Sequence, residues 1–385
     1  MKRIVPALIL MALTIPGAFG LWWRVRDGLM ATELTNHVVW GLWVSMSILF
    51  LGLSASGFVL SSLAYSFGFN QLERVGKLAV LQAFVCLLMG VVLIWIDLGH
   101  PQRLFMVLTS PNHTSLLSWA AYVYLVYFAA LAAELWILRS VTAVDELAES
   151  RKRLLKGIAL VGIPVVVVLY WSTGALFAVV KDRPEWNTGT TPLALLATAA
   201  LSGTALLMVL ATLFDRKDEG HNRTMGTMAK LAGGLLVLHL LLLASEGLVV
   251  WYARAAHQVS SLHHLWFGPY GVVGWVLHLL LGALVPLAIF GVARFRNYPT
   301  LVALAAVLVV LSTVGYGLNT VIPAQIDSPF RELSTAVYHV RNSAEYFPNA
   351  VELLSTLAVI VGGCWLFWLG HALLNRRQHT ATHGS

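Results

Sequence analysis

Glu246 is the acid in this chain that most needs a physical account. On a helix its neighbours three and four residues away are Leu242, Leu243, Val249 and Val250, so no local cation can pair with it and a partner must come from another helix. His278 lies between Leu277 and Leu279 in a second long apolar run, and Asp97 ends a third in Ile96-Asp97-Leu98-Gly99-His100-Pro101-Gln102-Arg103. A carboxylate or imidazole held among apolar side chains suits chemistry that moves protons together with electrons. Each also has a plain structural reading. Asp97 can pair with Arg103 at headgroup level while Gly99 and Pro101 end the helix, and His278 can be a hydrogen-bonded packing residue. Glu134 can snorkel, or pair with Arg139.

The elements that must position these groups are membrane helices. Of 385 residues, 58% are hydrophobic and 11% charged, against about a quarter charged in soluble domains. Apolar runs fall at roughly 4–22, 38–64, 78–98, 115–138, 157–180, 193–214, 231–252, 271–292, 300–318 and 350–374, each long enough to cross ~30 Å of hydrocarbon. The expectation is an all-α bundle of about ten transmembrane helices in one membrane domain, with a first helix at 4–22, a core over 38–374 and a tail at 375–385. The first run lacks a clear A-x-A cleavage site and reads as a retained helix rather than a signal peptide.

Charge sets the expected orientation. Lys2, Arg3, Arg151, Lys152, Arg153, Lys156, Arg216, Lys217, Arg376 and Arg377 all fall on the side that holds both termini, so the positive-inside rule puts both termini in the cytoplasm. The net charge of +7 is then a topology signal, and no nucleic-acid partner is expected. The opposite loops carry Trp186, Trp266, Phe267, Tyr270, Tyr346, Phe347 and Pro348, which suit an interfacial belt or a docking surface.

Counting residues from the span ends converts position into depth. Asp97 and Glu352 come out at the outer boundary, and Glu246 and His278 about 8 to 11 Å below it. Ser118, Trp119, Tyr122, Tyr170, Ser172 and Tyr316 fall in the same outer third. Polar anchors at one level between apolar walls suit a flat amphipathic ligand entering from lipid. The inner half is poorer in such groups; Ser54, Ser56, Gln82, Glu134 and His239 are its main members, and Glu134 with His239 reads as a proton path. By the same count His239 and His278 lie about 7 Å apart in depth, which argues against a shared haem.

Cys86 and Cys364 sit in separate apolar runs and form no CxxC, so this chain supplies no cysteine cage for an iron-sulfur cluster. No metal site, P-loop, HExxH, GxGxxG or nucleophile elbow occurs in a plausible context.

The arrangement resembles the NrfD-type membrane subunits of the polysulfide reductase family, especially the ten-helix branch that includes the hydrogenase-2 membrane subunit. The likeness is carried by Trp40-Gly41-Leu42-Trp43 with Gly52-Leu53-Ser54-Ala55-Ser56-Gly57, by the Asp97 to Arg103 segment, and by Ser115-Leu116-Leu117-Ser118-Trp119 with Glu134. It continues through Glu246 and through Tyr346-Phe347-Pro348 with Glu352-Leu353-Leu354. The resemblance implies menaquinone or ubiquinone bound at the outer side of a bacterial cytoplasmic membrane, and no haem in this chain. It also implies a periplasmic iron-sulfur partner subunit and a separate catalytic subunit. Under it Asp97, His100 and Arg103 match the family's third-helix boundary, Glu246 its seventh-helix acid and Glu134 an inner proton-transfer acid. Joined to the depth reading, this makes Glu246, His278 or Asp97 the group that exchanges quinone protons, with His100, Arg103, Ser118, Trp119, Tyr122 and Tyr170 lining the quinone pocket. Relatives in that branch carry a histidine and polar run where this chain has Leu169-Tyr170-Trp171-Ser172-Thr173-Gly174, and Pro where it has Val39. Two other classes stay open from the residues alone. A secondary transporter would show repeat symmetry around a midplane site, of which Pro164 and Pro286 in their spans are the only hint; a haem b cytochrome would need two axial ligands at one depth.

Overall fold

The computed structural model describes residues 4–140, 146–181, 183, 185–215, 218–253, 259, 263, 266–267, 271–326, 341 and 345–381. Lys2, Arg3, Arg216, Lys217, His257, His264 and Tyr270 lie outside the described residues, as do 141–145, most of 327–344 and 382–385. Ten helices are long and apolar enough to cross a membrane, and no strand occurs among the described residues. In chain order they are α1 (Ile4–Asp27), α2 (Leu42–Ser66), α3 (Asn70–Asp97), α4 (Leu116–Leu138) and α5 (Glu149–Ala178). The others are α6 (Thr191–Phe214), α7 (Glu219–Ala253), α8 (Val273–Gly291), α9 (Pro299–Val321) and α10 (Ala350–Ala381). The all-helical membrane bundle expected from composition is the fold.

The ends follow local chemistry. The Ser115 hydroxyl accepts the Leu117 N–H and starts α4, and Pro192 and Pro299 sit in the first turns of α6 and α9, where a missing N–H costs nothing. Asn349 Oδ1 accepts from the Val351 and Glu352 N–H groups while Glu352 Oε2 accepts from Asn349 N, a reciprocal cap on α10. Helices overrun their apolar spans at polar ends: α7 begins twelve residues before the expected Leu231, at Glu219. Intrahelical bonds continue in water as well as in lipid, so hydropathy alone cannot mark their ends.

The helix α2 is the hub, with 89% of its most apolar window buried, whereas α1 and α7 have 11% and face outward. It packs on α3, α5, α6 and α9, and α1 packs on α10. Lipid offers no hydrophobic drive for helices to associate, so close backbone approach and buried hydrogen bonds must hold the hub. Ser54 donates to Ala83 O, Gln82 donates to Leu53 O and Gly203 O, and Ser56 donates to Ala200 O, stitching α2, α3 and α6 together. Gly57 makes the α2–α3 approach possible, because a Cβ there would lie 2.7 Å from Ala79 O.

At one face of the bundle Asp215 receives Arg74 Nε at 2.6 Å and His221 Nδ1 at 3.0 Å, and Asp218 bonds the same Arg74. The His221 backbone N–H and Arg74 hold the Asp218 carboxyl below its usual range. The other face holds the connections after α1, α3 and α5, where Arg24 meets Leu98 O and Trp186 stacks on Trp40. There Gln325 caps α2 by accepting from Val39 N and Trp40 N.

Gly57→Val is expected to destabilise the protein by about 1–3 kcal/mol through forced separation of α2 and α3. Thermal unfolding in detergent, read against Gly234→Val at an open position, measures it.

Candidate functional site

A cavity of about 840 Å³ opens between α7, α8 and α9, closed on one side by residues 185–191 ahead of α6. Its walls are apolar, with Leu240, Leu243, Val250 and Leu279; its polar groups include Thr190, Glu246, His278, Tyr316 and Asn319; Trp186, Trp266 and Trp275 add aromatic surface. The size and mixture suit a ligand of drug-like dimensions held by a few fixed polar contacts.

Glu246 finds the partner that its sequence neighbours could not supply. The Thr190 hydroxyl donates to Glu246 Oε1 at 2.8 Å. Thr190 is set by neighbouring hydroxyls: Thr188 Oγ1 lies 3.0 Å from Thr190 Oγ1 and 2.9 Å from Thr191 Oγ1, and Thr191 donates to Trp186 O. Trp186 is fixed in turn by its indole N–H on Thr320 O at 2.7 Å and by stacking on Trp40. The loop that positions Thr190 is thereby tied to both α2 and α9. Asn319 adds a buried side-chain oxygen with no hydrogen bond among the described residues, a group available to a ligand.

His278 lies on the first part of α8, Val273–Leu284, which is wound as π-helix. Such winding is rare and is often found at functional sites. Gly282, one turn on, lets α9 approach, because a Cβ there would collide with the Ser312 side chain. His278 Nε2 is 3.1 Å from His239 Nε2, and Tyr316 faces both rings at 5.2 Å.

This contact corrects the depth count. The histidines, expected about 7 Å apart in depth, touch. At ~1.5 Å per residue α7 is about 52 Å long, so it overhangs any hydrocarbon slab and distance from its end does not give depth; each imidazole also reaches well beyond its backbone. The depth argument against this pair as haem ligands therefore falls. The rings are crossed at 83° with their nitrogens in contact.

The other expected pocket residues lie outside the lining of this cavity. None of Asp97, His100, Arg103, Ser118, Trp119, Tyr122 or Tyr170 lines it. Tyr170 donates to Ile48 O, Tyr122 donates to Leu108 O, the Trp119 indole donates to His113 O, and Ser118 is buried on α4. His100 and Arg103 lie exposed on the turn after α3. A count of rise fixes height along a helix and leaves its bearing around the bundle free. The cation facing the end of α3 is Arg24 of α1, rather than Arg103: it donates to Ile96 O and Leu98 O at 2.8 Å and lies over the Trp43 ring. Asp97 Oδ1 carries no hydrogen bond among the described residues.

Glu134 and His239, expected on one path, belong to separate clusters. Glu134 is buried on α4 and accepts from Ser61 of α2 at 2.9 Å rather than pairing with Arg139, whereas His239 bonds α6 and α8. The resemblance-bearing residues of α2 and α10 do meet. Tyr346 donates to Glu352 and accepts from Leu42 N, and the Trp43 indole donates to Ser355 Oγ.

Thr190 and Asn319 were not singled out in the sequence; the run Thr188-Gly189-Thr190-Thr191 before Pro192 was the available signal. Tyr346→Phe, which removes the buried hydroxyl from Glu352 Oε1 and from Leu42 N, is expected to lower stability by about 1–3 kcal/mol and to leave ligand affinity at the cavity unchanged; thermal unfolding with and without a ligand checks both.

A family model described as "Polysulphide reductase, NrfD" matches residues 30–327. A selenate reductase subunit from Mesobacillus selenatarsenatis is 30% identical, over 91% of this chain and 89% of its own. The Hdr-like menaquinol oxidoreductase integral membrane subunit of Archaeoglobus fulgidus is 27% identical, over 74% and 68%. The menaquinone reductase integral membrane subunit of Nitratidesulfovibrio vulgaris is 22% identical, over 93% and 88%.

Proposed function

The chain belongs to the NrfD polysulphide reductase family, and from that premise we propose that it is the quinone-handling membrane subunit of a multi-subunit oxidoreductase. The observation that carries the reading is the convergence of Glu246 and His278 in one apolar-walled cavity of about 840 Å³. A quinone ring is flat and apolar with two oxygens at opposite ends, so it needs apolar walls and two polar contacts. Glu246 serves as the proton-exchanging contact for one oxygen and His278 for the other. The loop holding Trp186 and Thr190 sets the Glu246 carboxyl and covers the ring.

In this reading the chain forms one membrane domain with both termini in the cytoplasm, and the cavity opens toward the periplasmic side. Electrons pass between the bound quinone and an iron-sulfur subunit docked there, and a further subunit acts on the terminal substrate. The names of relatives support this division, since two of them are integral membrane subunits of a menaquinol oxidoreductase and a menaquinone reductase. Asp97 in this account stays outside the reacting groups and lies at the Arg24-capped end of α3, where α1 packs.

Glu246→Gln keeps the shape and removes the proton acceptor. Quinol turnover of the purified complex is expected to fall about 10²-fold or more, with quinone still extractable from the preparation. A variant at parental turnover, or a parental complex holding neither quinone nor an iron-sulfur partner, would overturn the reading.

A further inference from the structure

Resting on the quinone reading of the cavity, we infer that His239 and His278 form one unit that holds a single substrate proton, while Glu246 takes the other. The hydrogen bonds assign the protons. Thr198 has one hydroxyl hydrogen and gives it to Ala194 O at 2.7 Å. In the proposed unit that hydrogen stays on Ala194 O, so the hydroxyl oxygen, 3.0 Å from His239 Nδ1, accepts and the His239 proton lies on Nδ1. Its Nε2 therefore presents a lone pair, and His278 Nε2, at 3.1 Å, is the donor into it. Both N–H groups of the neutral pair are thus committed. His278 Nδ1 is the one ring nitrogen left with neither a proton nor a hydrogen bond among the described residues, and both rings are buried. A buried polar atom without a partner is costly unless another state of the protein uses it.

A proton on His278 Nδ1 completes the set. The Nε2–H···Nε2 bond shares the charge between two imidazoles, and Tyr316 stacks on the His278 ring at 27°. Nδ1 is covered in this arrangement, so the ring turns toward the cavity to collect the proton. The Thr198 hydroxyl hydrogen points at a backbone oxygen of α6 and does not carry the proton onward. The unit is a store filled and emptied through the cavity.

Oxidation of a quinol breaks two O–H bonds; one proton forms an O–H on the Glu246 carboxylate and one forms an N–H on His278. Two electrons leave singly to the one-electron carrier of the partner subunit, and reduction runs in reverse. His278 touches the substrate, and His239 is a positioning residue that fixes the His278 tautomer and shares its charge.

The test uses the purified complex and a short-chain quinol. H239Q retains an acceptor for His278 Nε2–H but cannot share a proton. Its kcat is expected to fall at least about 10-fold, with KM and the affinity for a quinone-analogue inhibitor within about 3-fold of the parent. A kcat within about 2-fold of the parent with the inhibitor still bound would overturn the proton store and leave the cavity reading standing. Failure of the parental complex to bind the inhibitor would instead overturn the cavity reading. Redox-difference infrared spectra of the parental complex with ¹⁵N-labelled histidine give a second measurement independent of variant assembly. An imidazolium band gained on quinol oxidation supports the store, and its absence overturns it.

Discussion

In hydrocarbon no water is present to satisfy a polar group, so every buried donor, acceptor and charge in this bundle has to be answered by another part of the chain. That requirement decides most of what the structure does. The helix α2 can sit at the centre because its serines bond backbone carbonyls of neighbouring helices and because Gly57 admits the backbone of α3. Gln82 commits both amide hydrogens to carbonyls of α2 and α6. Glu352 is answered by Tyr346 and by backbone N–H groups, and Arg24 by the carbonyls that end α3. These contacts make a rigid half of the bundle.

The cavity lies between α7, α8 and α9, where polar groups are answered incompletely. Glu246 has one hydroxyl on Oε1, Asn319 Oδ1 has no bond among the described residues, and the histidine pair leaves one nitrogen open. Open polar atoms also occur away from the cavity, at Gln82 Oε1, Asp97 Oδ1 and Glu134 Oε2, but in the cavity they face a space where a ligand's own polar atoms can finish the set. The π-wound part of α8 belongs to the same pattern, since it turns His278 toward α7 while Gly282 keeps α9 close.

Much of this was legible in the residues. Composition and apolar runs pointed to ten membrane helices, and the isolation of Glu246 among leucines and valines pointed to a partner outside its own helix, which proved to be Thr190. Tyr316 was grouped with Glu246 and His278 by depth, and the cavity joins all three. Depth also grouped Asp97, Ser118, Trp119, Tyr122 and Tyr170 with them, and these do not line the cavity. Helical rise measures one coordinate, and packing fixes each residue's bearing around the bundle; Tyr170 packs in the same buried cluster as Trp186 of the cavity wall without lining the cavity itself. The meeting of His239 and His278 was hidden for a related reason: an overhanging 35-residue helix and a π-wound neighbour break the link between residue count and depth. Thr190 lay in a polar connection, where the sequence has no periodicity to say which hydroxyl turns inward.

Photolabelling of the intact complex with an azido-quinone, followed by peptide mapping, tests the location of the quinone most directly. Label is expected on α7 around Glu246, on α8 around His278 or on the 185–191 connection, suppressed by excess quinone. Competable label confined to the segment from Asp97 to Tyr122, with none on α7, α8 or 185–191, would contradict a quinone site in this cavity.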